Sequence, residues 1–285
     1  MLIRVLLERG EGTMLKRSLA GDLERANVHA RVQSQFGAAA TAYNTSPVHS
    51  DPNALRRVVE LAQPKPSDAA LDIATGTGHT ALALAPHVAS VIAFDLTEKM
   101  LAETARNAAD RKLTNVFTRL GMAEDLPFAD SSFDIVTVRQ APHHYVDVLR
   151  AVREMARVAR PGARVIVVDS TAPEDASVAS RWNYIEKLRD PSHVQNYTPT
   201  EWRDMITGAG LHIFSEEIGF CTENGQSMDF RAWVQRMATP SADVEKLTQL
   251  FREADSTLTS ALRIQIEGDA IRFCVPLITI GSLKK

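Results

Sequence analysis

Short apolar runs alternate with stretches of helical periodicity along residues 69–170. The apolar runs have the length of buried strands, and they predict strands at 69–74, 90–95, 115–120, 133–138 and 163–169. The periodic stretches predict helices at 79–86, 98–108 and 143–159, and Pro161-Gly162 is expected to end the last of them. This alternation is typical of a parallel sheet with helices on both faces.

The first 50 residues carry a weaker pattern. Over residues 1–30, polar and apolar residues are mixed and glycines interrupt them, so we expect a weakly ordered arm. The alanine-rich stretch from Phe36 to Tyr43 favours a helix, which Ser46-Pro47 ends. Residues 53–63 place apolar side chains at helical spacing and predict a further helix.

The pattern of apolar and polar residues changes again after residue 171. Residues 172–198 and 228–263 predict two helical insertions, and the segment between them predicts a helix from about Thr198 followed by a strand at 211–218. A last strand is predicted at 271–280. The expected organisation is an N-terminal arm and lid over 1–50, a core over 51–171, a cap insertion over 172–198, and the C-terminal part of the core over 199–285, which contains the second insertion.

Composition limits the classes of partner. The 285 residues are 45% hydrophobic, which is enough for one large core with a cap. A net charge of −3 predicts no broad basic surface, so we expect no nucleic-acid partner. No apolar run approaches the roughly 18 residues of a membrane span, and two cysteines form neither a disulfide framework nor a metal site. We therefore expect a cytoplasmic protein with a small-molecule substrate and no metal, with a homodimer left open.

A glycine turn follows the first predicted strand. Gly76 and Gly78 have no Cβ, so the backbone can turn sharply there and approach a ligand closely. The free N–H groups at the start of the next helix favour an anion. The run from Gly76 to Ala81 also fits the G-x-G-x-x-A fingerprint of dinucleotide-binding proteins. Asp95, at the end of the second strand, can accept hydrogen bonds from the ribose diol of a dinucleotide or of S-adenosylmethionine.

Asp72 indicates which of the two cofactors, a dinucleotide or S-adenosylmethionine, the turn binds. It lies inside the first strand, where its carboxylate would repel the pyrophosphate of a dinucleotide. S-adenosylmethionine carries an ammonium and a sulfonium group, and both favour a nearby anion. Asp72 therefore favours S-adenosylmethionine as the cofactor.

Five linked segments carry a family resemblance: Leu71–Gly78, Val91–Leu101, Ala123–Phe128, Ser132–Val136 and Glu154–Gly162. Together they resemble the class I S-adenosylmethionine-dependent methyltransferases, and more narrowly the branch with the ubiquinone/menaquinone-biosynthesis enzymes (methyltransferase type 11 domain). The resemblance implies an α/β, Rossmann-like fold with a seven-stranded, mostly parallel sheet, helices on both faces and helical cap insertions. The last strand would run antiparallel. It also implies transfer of a methyl group to an oxygen or carbon of a small, partly apolar molecule.

The same resemblance implies roles for individual residues. Asp72, Gly76 and Gly78 would border the methionine half of the cofactor, and Ala74 and Thr75 in the same turn are further candidates for cofactor binding. Asp95 would bind the ribose. Arg139, after the fourth strand, would lie near the methionine carboxylate or the floor of the site. Tyr43 and His49 would close over the cofactor from the lid.

The adenine site departs from the family pattern. The resemblance places Leu96, Met122 and Ala123 around the adenine, and Met100 is a further candidate for cofactor binding. Many relatives have an aspartate at the position of Met122, where it binds the adenine amine. Glu124 or a backbone carbonyl would make that contact here.

His143 and His144 are the candidates for catalysis. They follow the fourth strand, at the sheet edge where open parallel sheets bind their ligands. A histidine there can take a proton from a hydroxyl or an acidic carbon, and we favour His143 as the more exposed of the two. The alternatives are that one histidine caps the next helix, or that an ionised substrate needs no base and only has to be positioned.

Several alternatives remain at this stage. Four aromatic residues of the insertions and the C-terminal half either line a substrate pocket or pack in the core: Trp182, Tyr184, Trp202 and Trp233. A protein with the same cofactor site could catalyse a non-methylating reaction such as a cyclisation or elimination. An NAD-dependent reductase is the third alternative and rests on the glycine spacing alone.

Overall fold

The computed structural model describes residues 26–38, 40, 43–44, 46–221 and 226–285. Most of the arm predicted over residues 1–30 lies outside the described residues. Residues 26–38 are helical. They precede the first helix of the core, α1 (Pro52–Ala62), which Asp51 caps by accepting a hydrogen bond from the backbone N–H of Asn53.

Strands and helices alternate through the core as predicted. They are β1 (Ala69–Ile73), α2 (His79–Leu84), β2 (Ser90–Asp95), α3 (Glu98–Asp110), β3 (Val116–Leu120), β4 (Phe133–Arg139), α4 (Val148–Val158) and β5 (Ala159–Ser170). The C-terminal part adds α5 (Ala176–Arg189), α6 (Pro199–Gly208), β6 (Leu211–Cys221), β7 (Met228–Asp229), α7 (Phe230–Arg236), α8 (Ser241–Arg252), α9 (Ser256–Leu262), β8 (Gln265–Glu267), β9 (Ala270–Phe273) and β10 (Val275–Lys284).

Seven of these strands form the main sheet, in the order β3-β2-β1-β4-β5-β10-β6. Neighbouring strands from β3 to β5 are parallel, and β10 runs antiparallel to both β5 and β6. The predicted fold is confirmed, including the antiparallel last strand. The order reverses between β1 and β4, and such a reversal opens a crevice at the carboxyl ends of the strands.

Helix α4 differs from its prediction at both ends. Pro142–His144 form a separate 3-10 turn, and the helix begins only at Val148, where the Asp147 side chain accepts a hydrogen bond from the backbone N–H of Arg150. The helix ends at Val158, before Pro161-Gly162, and these two residues lie in the first part of β5. The two histidines are therefore in a turn at the sheet edge rather than in the helix.

The C-terminal part builds a cap with its own core. Strands β7, β9 and β8 form a small sheet, so the predicted last strand is divided into β9 and β10. Four large aromatic residues from α5, α7, α8 and β9 are fully buried together: Trp182, Trp233, Phe251 and Phe273. This second core holds the cap over the carboxyl edge of the main sheet. Among the described residues, no helix combines the length and the apolar character that crossing a membrane requires.

Candidate active site

A first cavity, about 970 Å³ in volume, lies at the carboxyl ends of β1, β2 and β4. Its walls contain all but two of the sixteen residues predicted for the site, and the exceptions are Gly78 and His143. The strand order explains the position of the cavity, because the order reverses between the paired strands β1 and β4 and the connections after them lead to opposite sides.

The glycine turn forms one wall of the first cavity. Gly76 and Gly78 have φ angles of +57° and +89°, and even Ala74 has a positive φ of 50°. Gly78 lies behind the wall. A Cβ built on it would be 2.7 Å from the Cγ2 of Thr104, whose hydroxyl donates a hydrogen bond to the carbonyl of Gly76. Gly78 therefore shapes the turn by its lack of a side chain.

We expect Gly78→Ala to destabilise the fold by about 2 kcal/mol, since it combines a left-handed backbone with a close contact. The measurement is the urea unfolding midpoint. Gly208 in α6 is the matched control, because a Cβ there meets nothing within 4 Å and its φ is not positive. Gly208→Ala should leave the midpoint unchanged or raise it. Equal midpoints for the two variants would contradict the role given to Gly78.

Asp72 is buried beneath the turn and accepts three hydrogen bonds. Its Oδ2 accepts from the Thr75 hydroxyl at 2.6 Å and from the Ala81 N–H at 3.1 Å, and its Oδ1 accepts from the Thr137 hydroxyl at 2.7 Å. Burial raises the pKa of Asp72, and the three donors partly offset that effect. The carboxylate thus joins β1, β4 and the start of α2 while it lies in the floor of the cavity.

Asp95 lies at the end of β2 and lines the first cavity. Its Oδ2 accepts a hydrogen bond from Gly76 N–H at 2.9 Å and its Oδ1 accepts one from Thr97 N–H at 2.8 Å. Each oxygen keeps a further lone pair that can accept a hydrogen bond. Burial raises the pKa of Asp95 to about 6.

The residues predicted for the adenine, Leu96, Met122, Ala123 and Glu124, line the same cavity, as does Met100. The Oε1 of Glu124 accepts a hydrogen bond from Val146 N–H at 3.1 Å and lies 3.7 Å from the Nε2 of His29. Burial alone would raise the pKa of Glu124, but these two partners outweigh burial and lower it. Glu124 is therefore a charged acceptor in the wall.

Arg139 crosses from β4 to the lid. Its Nε donates a hydrogen bond to the Thr80 hydroxyl at 3.1 Å and its Nη2 donates one to the His49 carbonyl at 2.5 Å. Its Nη1 is buried and has no hydrogen-bond partner among the described residues. Burial lowers the pKa of Arg139, and Asp72 partly opposes that effect. An unused donor on a buried cation suits an anionic group in the cavity.

Tyr43 and His49 of the predicted lid line the first cavity. The rings of Tyr43 and His49 are 4.5 Å apart, and His79 Nε2 lies 3.2 Å from the Tyr43 carbonyl oxygen. Asn44 donates a hydrogen bond to Glu103 on α3 at 2.7 Å. Burial and the nearby Arg139 keep the pKa of His49 well below its ordinary value, so His49 is neutral.

A second cavity, about 640 Å³ in volume, lies between the sheet edge and the cap. It shares five wall residues with the first cavity: Phe36, Tyr43, His49, Gln140 and His144. Its apolar side is built by Val48, Met228, Trp233, Met237, Val275 and Leu277, and its polar side includes His143, Ser170, Glu186, Arg189, Asp190, His193 and Arg236. The two cavities thus adjoin along a common wall.

The two predicted catalytic histidines have different surroundings. His143 lines only the second cavity, and its Nδ1 is 2.6 Å from the Oδ1 of Asp169 on β5. His144 lines both cavities, and its Nδ1 is 3.1 Å from the carbonyl oxygen of Ser192. Burial and the neighbouring His143 lower the pKa of His144 to about 3. Neither histidine caps α4, because Asp147 does.

Of the four aromatic residues considered for a substrate pocket, only Trp233 lies in a cavity wall. Trp182 and Trp202 are fully buried in the cap core and the main core, and Tyr184 is 56% exposed on the surface. The packing alternative therefore applies to Trp182 and Trp202, and Tyr184 lines neither cavity.

Several residues of the first cavity were missed by the sequence analysis: His29, Val32, Phe36, Ile73, Thr77, His79, Thr80, Phe94, Thr97, Gly121, Gln140, Ala141 and Tyr145. Gly121 and Gln140 directly follow β3 and β4, so their place at the carboxyl edge was a usable signal. A Cβ on Gly121 would be 2.4 Å from the Phe94 ring, which explains the glycine. His29 and Val32 gave no signal, since they lie in a separate helical segment.

The core matches a known family of domains. A family model described as a methyltransferase domain matches residues 71–167. That range contains the glycine turn, Asp95, Arg139 and both histidines, and it spans the strands whose carboxyl ends form the first cavity.

Individual relatives extend the match to the cap. The chain is 34% identical over 256 residues to the uncharacterized methyltransferase YcgJ of Bacillus subtilis, covering 89% of this chain and 99% of the relative. The crystal structure of YcgJ has a TM-score of 0.76 at 32% identity, covering 82% of this chain and 98% of that chain. The demethylmenaquinone methyltransferase of Halalkalibacterium halodurans is 38% identical over 107 residues, 36% of this chain and 44% of the relative. The likeness to the menaquinone enzyme thus covers about a third of this chain, whereas the likeness to YcgJ covers most of it and so includes residues of the cap.

Proposed function

This chain belongs to the S-adenosylmethionine-dependent methyltransferase family, and we propose that it transfers a methyl group to an oxygen or carbon of a small, partly apolar molecule. Membership confirms the resemblance inferred from the five sequence segments. The proposal assigns the donor to the first cavity and the acceptor to the second. The observation that carries it is the common wall between a cavity lined by Asp72, Asp95 and Arg139 and a second cavity with one apolar and one polar side.

The residues of the first cavity fit S-adenosylmethionine in charge and in hydrogen bonding. The Asp72 carboxylate in the floor favours a cationic ligand, and the unpaired Nη1 of Arg139 is a donor for its carboxylate. The free lone pairs of Asp95 suit the two hydroxyls of a ribose. When bound, S-adenosylmethionine supplies an electrophilic methyl group on a sulfonium. Tyr43 and His49 would keep water away from it.

The second cavity fits the acceptor. Its apolar side can cover a hydrophobic molecule, and its polar side contains the two proposed catalytic histidines. His144 lies in the common wall, where its neutral ring can position the reacting atom. His143 faces the acceptor side only and is the candidate proton acceptor.

Cofactor binding tests this assignment directly. We expect S-adenosylmethionine and its demethylated product, S-adenosylhomocysteine, each to raise the melting temperature by several degrees, since a ligand that binds the native state stabilises it. NADH should cause no shift. A shift with NADH alone would contradict the proposal and support the reductase.

A second measurement separates methyl transfer from other reactions in the same site. The protein is incubated with S-adenosylmethionine and a set of small aromatic and aliphatic acceptors, and products heavier by one methylene unit are identified by mass. If the cofactor binds but an acceptor is turned over without gaining mass, the non-methylating alternative is correct.

A further inference from the structure

We propose that Asp169 holds His143 as a proton acceptor, and that the site therefore takes an acceptor with a weakly acidic hydroxyl, a phenol or an enol that arrives protonated. The inference rests on the proposed function, because it concerns the acceptor side of the same site. Its starting point is the contact between a wholly buried carboxylate and a histidine in the wall of the second cavity.

The hydrogen-bond network around His143 fixes its tautomer. Asp169 Oδ1 lies 2.6 Å from Nδ1, and a carboxylate can only accept, so Nδ1 carries the hydrogen. Ser170 Oγ is also 3.2 Å from Nδ1, but it donates its own hydrogen to the Oδ1 of Asn196 at 2.5 Å. The other ring nitrogen, Nε2, is then the one with the free lone pair when His143 is neutral.

Nε2 belongs to the His143 ring, which lines the second cavity. Among the residues that the structure describes, none makes a hydrogen bond with Nε2, and His143 is the only one of the two histidines confined to that cavity. The Asp169–His143 pair thus presents a proton acceptor to a bound molecule. This is the arrangement that general-base catalysis requires.

Charged and titratable groups surround His143 on every side. They are Asp169 on β5, His144 in the same turn, Glu186 and Arg189 on α5, Asp190 and His193 after α5, Cys221 on β6 and Arg236 on α7. Burial alone would lower the pKa of His143, but Asp169 outweighs burial and raises it. Burial and the proximity of His143 lower the pKa values of His144 and His193. His143 is therefore the member of this histidine cluster that takes up a proton.

The base and the wall beside it favour one class of acceptor. A histidine held by a buried carboxylate can take the proton of a phenol or enol as the oxygen, or the carbon conjugated to it, attacks the methyl group. An acceptor that is already ionised needs no base. The apolar wall with Trp233, Met228 and Leu277 can cover the unsaturated ring or chain that makes such a hydroxyl acidic.

The chemical step balances as follows. The hydroxyl proton moves to His143 Nε2. The electron pair released on oxygen, or on the carbon conjugated to it, forms the new bond to the methyl carbon as the S–CH₃ bond breaks. That bonding pair stays on sulfur, and the imidazolium returns its proton to water after the product leaves.

The test uses two acceptors of similar shape and different acidity, 4-nitrophenol and 4-methylphenol, at a pH where the first is ionised and the second is not. Single-turnover transfer of a radiolabelled methyl group is measured for the wild type, His143→Gln, Asp169→Asn and His212→Gln. His212 is exposed on β6 and serves as the matched control. We expect both site variants to slow methylation of 4-methylphenol about 100-fold and that of 4-nitrophenol less than about threefold. His212→Gln should change neither rate.

The ¹⁵N NMR spectrum of the imidazole provides a readout that does not depend on turnover. The wild type should show His143 with hydrogen on Nδ1, and Asp169→Asn should lower the pKa of His143, because the carboxylate that raises it is gone. An Nε2–H tautomer in the wild type, or equal losses with both phenols, would overturn the inference. If neither phenol is methylated while other acceptors are, the substrate class is wrong. Failure to bind S-adenosylmethionine would instead overturn the proposed function.

Discussion

Replacing Asp95 with alanine is expected to weaken the binding of S-adenosylhomocysteine about 1000-fold. Each hydrogen bond from a ribose hydroxyl to a carboxylate contributes about 1.5–3 kcal/mol, and the loss of two such bonds corresponds to about 4 kcal/mol or three powers of ten. The side chain also orients the turn through Gly76 N–H and Thr97 N–H. Isothermal titration calorimetry measures the change. Glu98→Gln, at an exposed position on α3, is the control and should bind like the wild type.

The pH dependence of binding separates the charge of Asp95 from its shape. Because burial raises the pKa of Asp95 to about 6 in the folded protein, its carboxylate is ionised at pH 7.5 and protonated at pH 5. A protonated carboxyl is a poorer acceptor, so the affinity of the wild type should fall as the pH falls through about 6. Asp95→Asn should bind weakly at both pH values and lack this dependence. A wild type whose affinity is constant from pH 7.5 to 5 would exclude Asp95 as the ribose acceptor.

The first cavity could be predicted because its chemistry lies in short segments. Asp72, the glycine turn and Asp95 each stand at the carboxyl end of a strand, and adjacent parallel strands bring those ends together. The place of a residue at the end of a strand therefore predicts that its side chain lies at this edge of the sheet. The lid contributed Tyr43 and His49 to the same cavity, but the sequence alone could not show that these two residues also border a second one.

The second cavity could not be predicted, since its walls come from segments far apart in the chain. Phe36 of the N-terminal segment, Glu186 of α5, Trp233 of α7 and Leu277 of β10 meet only after the cap has folded over the sheet. Asp169 is the clearest example. In the sequence it is an acid near the end of a strand, and nothing local shows that its side chain will meet His143 from the turn after β4. His143 could thus be proposed as the proton acceptor from its residue type, whereas the tautomer proposed for it required the structure.

Replacing Asp72 with alanine is expected to destabilise the protein by about 4 kcal/mol. The substitution removes the carboxylate that accepts from three buried donors, the hydroxyls of Thr75 and Thr137 and the N–H of Ala81. Thr137 keeps only a longer contact of 3.4 Å to the Leu71 carbonyl oxygen, and each unsatisfied group costs about 1–3 kcal/mol. The expected loss is large against a total stability of about 5–15 kcal/mol. Urea unfolding followed by circular dichroism measures it.

Asp72→Asn tests whether the loss comes from the hydrogen bonds or from the charge. Asparagine keeps one acceptor oxygen and the shape of the side chain, and burial already disfavours the charge, as the raised pKa of Asp72 indicates. We therefore expect this variant to lose only about 1–2 kcal/mol. A double-mutant cycle with Thr137→Val gives the sharper result. If the unpaired hydroxyl causes the loss, Thr137→Val should destabilise the wild type and have no such effect in Asp72→Ala. Equal destabilisation in both backgrounds would show that Thr137 and Asp72 contribute to stability independently.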